Sequence, residues 1–232
     1  MLFFDIDGTL FDHPAAEKAG ALGFLDTRRT MFSMATQDFL ELWSQLTEKY
    51  YQLYLQGSLS FREQRRERVR ELYNLAGCKI TADAAEQAFQ DYLDHYRRAW
   101  TVYPDVIPCL SRLKHLGLGV ITNGDHEQQT AKLKQIGIEQ FFSVIITSGD
   151  TGYAKPDRRI FRAACAKANC EPAHCYYIGD LYEVDYLGSN AAGLNAIWLS
   201  RTGQPVPSGH SSVQQVTSLT ELPELILKTP SA

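Results

Sequence analysis

The chain has 232 residues and a net charge of −4, from 23 Lys plus Arg against 27 Asp plus Glu, and its length fits one domain with a large insert or two small domains. This charge offers no basic surface to nucleic acid or an anionic membrane, so a small diffusible substrate is favoured. Five irregularly spaced cysteines, a strand pattern beginning at residue 2 and no apolar run of membrane-spanning length predict a reduced, cytoplasmic protein without a membrane segment.

The first predicted element is a short buried strand, Leu2-Phe3-Phe4, which runs directly into Asp5-Ile6-Asp7-Gly8-Thr9. Because side chains alternate along an extended chain, Asp5 and Asp7 point the same way. Two carboxylates this close need a cation or a shared proton. Either state suits phosphoryl transfer, in which one Asp attacks phosphorus and the other moves protons. Turns and Ca²⁺ loops show the same pattern, so this stretch alone leaves both interpretations open.

Residues 14–100 carry helical periodicity and no strand-like segment. Apolar stripes and end signals predict helices over residues 12–26, 34–57, 60–76 and 81–100, the third opened by a capping box at Ser60 and Glu63. The arginines from Arg62 to Arg70 alternate with glutamates, which indicates a solvated face; anion binding by Arg62 or Arg66 is the less favoured alternative. The segment is therefore predicted to be an inserted helical bundle.

From Tyr103 onward, strands and helices alternate. Continuous apolar strands are predicted at 118–121, 143–146, 175–178 and 196–199, with helices near 106–116, 127–136, 158–168 and 187–192 between them. A short strand near Val213 and a helix near 222–227 close the chain. This alternation predicts an α/β fold with a parallel sheet covered on both faces.

Reactive side chains follow four of the predicted strands. They are Asp5 with Asp7, Thr122-Asn123-Gly124, Lys155-Pro156, and Gly179-Asp180 with Asp185 nearby. The carboxyl ends of parallel strands share one edge of a sheet, so these groups are expected to converge there. Thr122 and neighbouring N–H groups suit phosphate, and Lys155 adds a positive charge. Asp180, alone or with Asp185, completes a hard oxygen site for Mg²⁺ with the opening carboxylate. Each motif has a structural alternative as a turn, a surface loop or a helix entry.

Together these motifs resemble the haloacid dehalogenase superfamily of hydrolases that use an aspartate nucleophile. The resemblance implies a Rossmann-like core of residues 1–13 and 101–232, with an all-helical cap of the C1 type inserted as residues 14–100. Asp125 and the helix after it, with Leu42-Trp43 in the insert, are similar to the subgroup that includes nucleotide and acylneuraminate phosphatases.

The resemblance also implies a role for each motif residue. Asp5 corresponds to the nucleophile and a Mg²⁺ ligand, and Asp7 to the general acid/base, with its backbone carbonyl on the metal. Thr122, Asn123 and Lys155 are implied to hold the phosphoryl group, and Asp180 is implied to bind the metal. Asp185 is implied as an outer partner of the metal site. Leu181 departs from the family pattern, because many relatives carry a hydroxyl residue there.

The sequence therefore predicts a Mg²⁺-dependent phosphomonoesterase acting on a small phosphate ester, such as a nucleoside monophosphate or a sugar phosphate, with the cap selecting the leaving group. A dehalogenase is disfavoured, because halide leaves without a proton and gives Asp7 no task. A phosphomutase uses the same groups and stays open as an alternative, as does, less strongly, a phosphate-sensing module without catalysis. The sequence gives no indication of oligomeric state.

Overall fold

The computed structural model describes residues 1–209 and 213–227. Its strands are β1 (Leu2–Phe4), β2 (Leu118–Thr122), β3 (Val144–Thr147), β4 (Tyr176–Gly179), β5 (Asn195–Leu199) and β6 (Gln215–Val216). They form a parallel sheet in the order β3-β2-β1-β4-β5-β6, so the first strand of the chain lies between β2 and β4. In this register Phe4 is opposite Val120 on one side and Ile178 on the other.

The helices account for most of the remaining chain. They are α1 (His13–Asp26), α2 (Thr36–Leu55), α3 (Phe61–Leu75), α4 (Ala82–Arg98), α5 (Val106–Leu113), α6 (His126–Gln135), α7 (Ser148–Thr151), α8 (Arg158–Lys167), α9 (Gly188–Ala192) and α10 (Leu222–Leu227). A π-helical turn, Tyr182–Leu187, leads directly into α9. Over the described ranges, none of these helices combines the length and apolar character needed to cross a bilayer.

The chain divides into two compact units, Met1–Asp12 with Thr101–Ala232, and His13–Trp100. In the first unit the parallel strands bury both faces, and Phe3, Ile121, Phe161 and Tyr177 belong to one apolar cluster between the sheet and α8. Apolar residues on every strand are required because helices cover both sides of such a sheet. The predicted parallel α/β fold is thus confirmed.

The second unit is held by packed aromatic rings from several helices. The Trp43 ring of α2 lies 4.5 Å from that of Tyr92 in α4 and 5.3 Å from that of Phe24 in α1, measured between centroids. Gly20 allows α1 to approach α4, because a Cβ at this position would lie 2.6 Å from the Tyr92 ring. The aromatic stripes predicted from the sequence therefore form a bundle core, with Trp43, Tyr92, Tyr96 and Trp100 buried.

One predicted helix start and one helix without a prediction distinguish the sheet unit from the sequence-based expectation. The sequence predicts that the helical segment before Ala192 begins at Leu187. In the structure it begins five residues earlier, at Tyr182, with a π turn. The side chain of Asp185 accepts a hydrogen bond from the Leu181 N–H at 3.0 Å, which anchors this wider turn. The short helix α7 was not predicted, and it begins at a capping box formed by Thr147 and Asp150.

The predicted capping box at the start of α3 is confirmed, and it gives a first testable expectation. Ser60 Oγ accepts from the Glu63 N–H at 3.2 Å, and a Glu63 carboxylate oxygen accepts from the Ser60 N–H at 2.8 Å. Replacing Ser60→Ala should lower the free energy of unfolding by about 1 kcal/mol, because a helix N–H loses its acceptor. Urea unfolding followed by circular dichroism measures the change, with exposed Ser58→Ala as the matched control. Equal midpoints for the two variants would contradict the expectation.

Candidate active site

A buried ammonium lies at the centre of the polar cluster at the carboxyl edge of the sheet. Lys155 Nζ donates to Asp5 Oδ1 at 2.5 Å, to Asp185 Oδ1 at 2.7 Å and to the Tyr177 hydroxyl at 2.8 Å. All three partners are buried, so the charge of Lys155 is compensated inside the protein. Asp5 follows β1, Tyr177 lies on β4, and Asp185 lies on the π turn after β4. The predicted convergence of Asp5, Lys155 and Asp185 is therefore seen in the structure.

Burial controls the protonation of this cluster. It raises the pKa of Asp5 to about 7, with Asp185 and Asp7 acting in the same direction and Lys155 opposing them. Burial, together with the charges of Asp5 and Asp185, raises the pKa of Asp180 well above its usual value. For Lys155, burial alone would lower the pKa, but the charges of Asp185 and Asp5 hold it well above its usual range. The raised pKa of Lys155 favours its protonated form beside two carboxyl groups whose pKa values burial raises.

Asp180 directly follows β4 and packs against the turn after β1. The turn residue Gly8 has a φ of +87°, and a Cβ there would lie 2.2 Å from an Asp180 carboxylate oxygen. Thr9 Oγ1 donates to Asp180 Oδ1 at 3.2 Å. Only glycine permits this backbone conformation and this close approach together. The predicted use of Gly8 in a sharp backbone path is thereby explained by its contact with Asp180.

The two phosphate-binding candidates at the end of β2, Thr122 within the strand and Asn123 directly after it, are both engaged with other groups of the site. Asn123 Oδ1 accepts from the Lys155 N–H at 2.7 Å, and its Nδ2 donates to the Lys155 carbonyl at 3.0 Å. This side chain therefore fixes the backbone of the loop that carries Lys155. Thr122 is buried, and its Oγ1 accepts from Gln129 Nε2 at 3.0 Å.

Asp7 is held by two residues that the sequence analysis did not identify. Lys132 Nζ forms an ion pair with Asp7 Oδ1, and Gln129 Nε2 donates to Asp7 Oδ2 at 2.9 Å. Both lie on the buried face of α6 with Leu133, one helical turn apart. The available signal was the helical spacing itself, since two polar residues occupy positions of an amphipathic helix where apolar residues are the rule.

A third side chain holds the turn that carries both aspartates. Arg201, just after β5, donates from Nη2 to the Thr9 carbonyl at 2.7 Å and from Nε to the Gly8 carbonyl at 3.2 Å. The same guanidinium forms an ion pair with Asp105 at 2.9 Å, and Asp105 accepts from the Leu219 N–H. The backbone at Leu219 is thus connected to the Gly8-Thr9 turn through the side chains of Asp105 and Arg201.

The donor set of the cluster fits a hard divalent cation. Asp5, Asp180 and Asp185 each present a carboxylate oxygen, and these oxygens lie within 4.8 Å of one another. With all three ionised and Lys155 protonated, their charges sum to −2 (three negative and one positive). Oxygen-only ligands with this residual charge suit Mg²⁺. Both Asp185 oxygens already accept from Lys155 and Leu181, which leaves Asp5 and Asp180 as the carboxylates better disposed to a metal.

The hydroxyl of Tyr177 gives a prediction for stability. It accepts from Lys155, and its oxygen lies 2.9 Å from Asp185 Oδ1 and 3.1 Å from the Ile121 carbonyl, the two acceptors available to its single proton. Tyr177→Phe should lower the free energy of unfolding by about 1–3 kcal/mol, because buried polar groups lose a partner. Tyr176→Phe, on the adjacent and half-buried residue, is the matched control for denaturant unfolding. A Tyr177→Phe protein as stable as this control would show that the hydroxyl is dispensable.

Comparison with known proteins agrees with this geometry. The chain is 28% identical over 229 residues to pyrimidine 5′-nucleotidase YjjG of Escherichia coli, covering 98% of this chain and 97% of that protein. It is 26% identical over 231 residues to N-acylneuraminate-9-phosphatase of Rattus norvegicus, with 97% and 92% covered. The HAD-hydrolase YfnB of Bacillus subtilis, in a magnesium-bound crystal structure, shares the fold with a TM-score of 0.82 at 23% identity, covering 97% of this chain and 96% of that one.

The match to a family as a whole extends through most of the chain. Residues 1–193 match the haloacid dehalogenase-like hydrolases, a range that includes Asp5, Asp7, Thr122, Lys155 and Asp180. The predicted resemblance, including its nucleotidase and acylneuraminate phosphatase branch, is confirmed by the family and the two relatives. The chain belongs to the haloacid dehalogenase-like hydrolase family.

Proposed function

We propose that this hydrolase is a Mg²⁺-dependent phosphomonoesterase that forms a covalent aspartyl phosphate on Asp5. The observation that carries the proposal is the contrast between the two aspartates after β1. The Asp5 side chain is 7% exposed and paired with Lys155, whereas that of Asp7 is 28% exposed and paired with Lys132. A buried, oriented carboxylate suits a nucleophile, and a carboxylate with access to solvent suits proton exchange with a leaving group and water.

Asp5, Asp180 and the backbone carbonyl of Asp7 would hold the metal, with Asp185 supporting them. The fit rests on the oxygen donors and the residual negative charge of the cluster. When bound, Mg²⁺ supplies positive charge that offsets the repulsion between these carboxylates and the phosphate oxygens. Lys155 contributes a fixed positive charge beside Asp5, and Thr122 and Asn123 complete the proposed phosphate-binding edge.

The reaction then proceeds in two displacements at phosphorus. First, a carboxylate oxygen of Asp5 bonds to phosphorus as the bond to the ester oxygen breaks, and Asp7 gives its proton to the departing oxygen. Second, Asp7 takes a proton from water, whose oxygen attacks phosphorus and releases Asp5 as a carboxylate. The sum is ester plus water to alcohol plus phosphate, and Asp7 is returned to its starting protonated form.

The substrate proposed is a nucleoside monophosphate or a sugar phosphate, and the helical segment 14–100 is proposed as the cap that selects it. The names of the two relatives support this class of ester. The compact units support the proposed division into a core of residues 1–13 and 101–232 and a cap, because their boundaries differ from it by one residue. We also propose a cytoplasmic location, supported by five cysteines that are all free thiols.

The central experiment is an assay of 4-nitrophenyl phosphate hydrolysis with and without Mg²⁺. We expect activity with Mg²⁺ and background rates after chelation, because the carboxylate cluster repels phosphate without a cation. Asp5→Asn should reduce turnover to background, since an amide oxygen is a poor nucleophile. Asp94→Asn, an exposed carboxylate on α4, is the matched control and should retain activity. Hydrolysis that survives chelation, or substantial turnover by Asp5→Asn, would contradict the proposal.

The role of Asp7 is tested by leaving-group dependence. Phenyl phosphate releases a more basic oxygen than 4-nitrophenyl phosphate and depends more on protonation. Asp7→Asn should therefore lower kcat/KM for phenyl phosphate by about a hundred- to ten-thousand-fold and for the nitro ester by less. The value of kcat/KM reports the phosphorylation step, so slower hydrolysis of the phosphoenzyme does not mask the difference. An equal loss for both esters would argue against Asp7 as the proton donor.

A further inference from the structure

The buried face of α6 carries a charge inside the sheet unit. Lys132 is fully buried, and its ammonium lies 4.6 Å from the centroid of the Phe11 ring. Burying an ammonium costs several kcal/mol unless a partner compensates it. Its carboxylate partner is Asp7, which is itself partly exposed. A purely structural ion pair would more commonly leave the lysine at the surface, where its charge is hydrated.

Each oxygen of the Asp7 carboxylate has its own hydrogen-bond donor. Lys132 donates to Oδ1 and Gln129 donates to Oδ2, so both oxygens of one carboxylate are held by one helix. The Gln129 amide also donates to Thr122 Oγ1 at 3.0 Å and to the Asn123 carbonyl at 3.1 Å, which connects Asp7 to the end of β2. Rotation of the carboxylate about its own axis would break these contacts. A carboxylate accepts at roughly four positions, so two donors do not exhaust its capacity to exchange a proton.

We propose that Lys132 and Gln129 are positioning residues that fix the orientation of the Asp7 carboxyl group for proton transfer at the ester oxygen. The inference rests on the proposed function, because it assumes that Asp7 is the proton donor. Proton transfer requires heavy atoms within hydrogen-bond reach, and a misplacement of about 1 Å can cost a hundredfold in rate. The backbone of Asp7 forms a β-bridge with Phe11, and the contacts of Lys132 and Gln129 orient its carboxylate.

The alternative is that Lys132 only stabilises the fold. A structural role predicts a lower free energy of unfolding and a similar loss of activity on every ester. A positioning role predicts a selective loss on esters with basic leaving groups, because only these depend on the proton from Asp7. The ratio of kcat/KM for 4-nitrophenyl phosphate to that for phenyl phosphate separates the two, since both esters have nearly the same shape and phosphate.

The experiment measures this ratio for the Mg²⁺-loaded full chain and its variants. We expect Lys132→Met to lower kcat/KM for phenyl phosphate by about ten- to a hundredfold, with a smaller loss for the nitro ester, so that the ratio rises. Gln129→Leu should also raise the ratio of kcat/KM for the nitro ester to that for phenyl phosphate. The Gln129→Leu substitution removes the Nε2 donor to Asp7. It breaks no hydrogen bond to Gln129 Oε1, because this oxygen is buried without a partner among the described residues. Lys134→Met, an exposed lysine on the same helix, is the matched control and should leave the ratio unchanged.

A double-mutant cycle connects the effect to Asp7. If Lys132 acts through Asp7, then Lys132→Met should change the ratio little when Asp7→Asn is already present. Independent, multiplying effects in the double variant would overturn the inference, as would an equal loss on both esters. If Lys132→Met does not fold, as judged by circular dichroism, the test uses Gln129→Leu instead. Its kcat/KM ratio and its double-mutant cycle with Asp7→Asn then decide whether the inference holds.

The same data distinguish failure of the inference from failure of the proposed function. A wild-type protein that hydrolyses neither ester refutes the phosphatase proposal and the inference with it. A ratio that rises for Asp7→Asn but not for Lys132→Met or Gln129→Leu refutes the positioning role alone. A ratio unchanged by Asp7→Asn removes the proton-donor role of Asp7, and the positioning role falls with it.

Discussion

The site depends on the buried ammonium of Lys155. Its three partners, Asp5, Asp185 and the Tyr177 hydroxyl, come from two strands and a π turn, so the charge fixes these elements relative to one another. Removing one partner of a buried ion pair costs about 3–5 kcal/mol, because the other charge is left uncompensated. The atoms proposed to bind phosphate are therefore also atoms that stabilise the fold, and substitutions among them are expected to affect both.

Two neighbouring carboxylates are distinguished by the cations that hold them. Asp5 and Asp7 are separated by one residue, yet Asp5 is paired with Lys155 from the loop before α8 and Asp7 with Lys132 from α6. Both side chains of the Asp5–Lys155 pair are buried. In the Asp7–Lys132 pair the lysine is buried, but the Asp7 carboxylate is partly exposed to solvent. Different surroundings allow two identical side chains to take different chemical roles, which is how enzymes commonly separate a nucleophile from an acid.

Much of the fold and part of the site could be predicted because they follow from periodicity. Alternating strands and helices predict a parallel sheet. Its carboxyl edge brings together Asp5 and Asp180, directly after β1 and β4, and Lys155, in the longer segment after β3. Tyr177 was missed because its strand is otherwise apolar and its hydroxyl has meaning only once Lys155 is beside it. Gln129 and Lys132 were missed for a related reason. Their spacing on α6 places them on its apolar face, but their role depends on Asp7, which lies on another element.

β1 lies at the centre of the sheet although it precedes the other described strands along the chain. Its neighbours are β2, beginning at Leu118, and β4, beginning at Tyr176, and the Gly8-Thr9 turn is held by Arg201. A growing chain therefore carries Asp5 and Asp7 out of the ribosome long before their partners exist. Because domains complete their folding as units during or after translation, the turn with Asp5 and Asp7 lacks these partners until the chain through Arg201 has been synthesised. A chain terminated before Lys132 would thus present both aspartates without either of the lysines that pair with them.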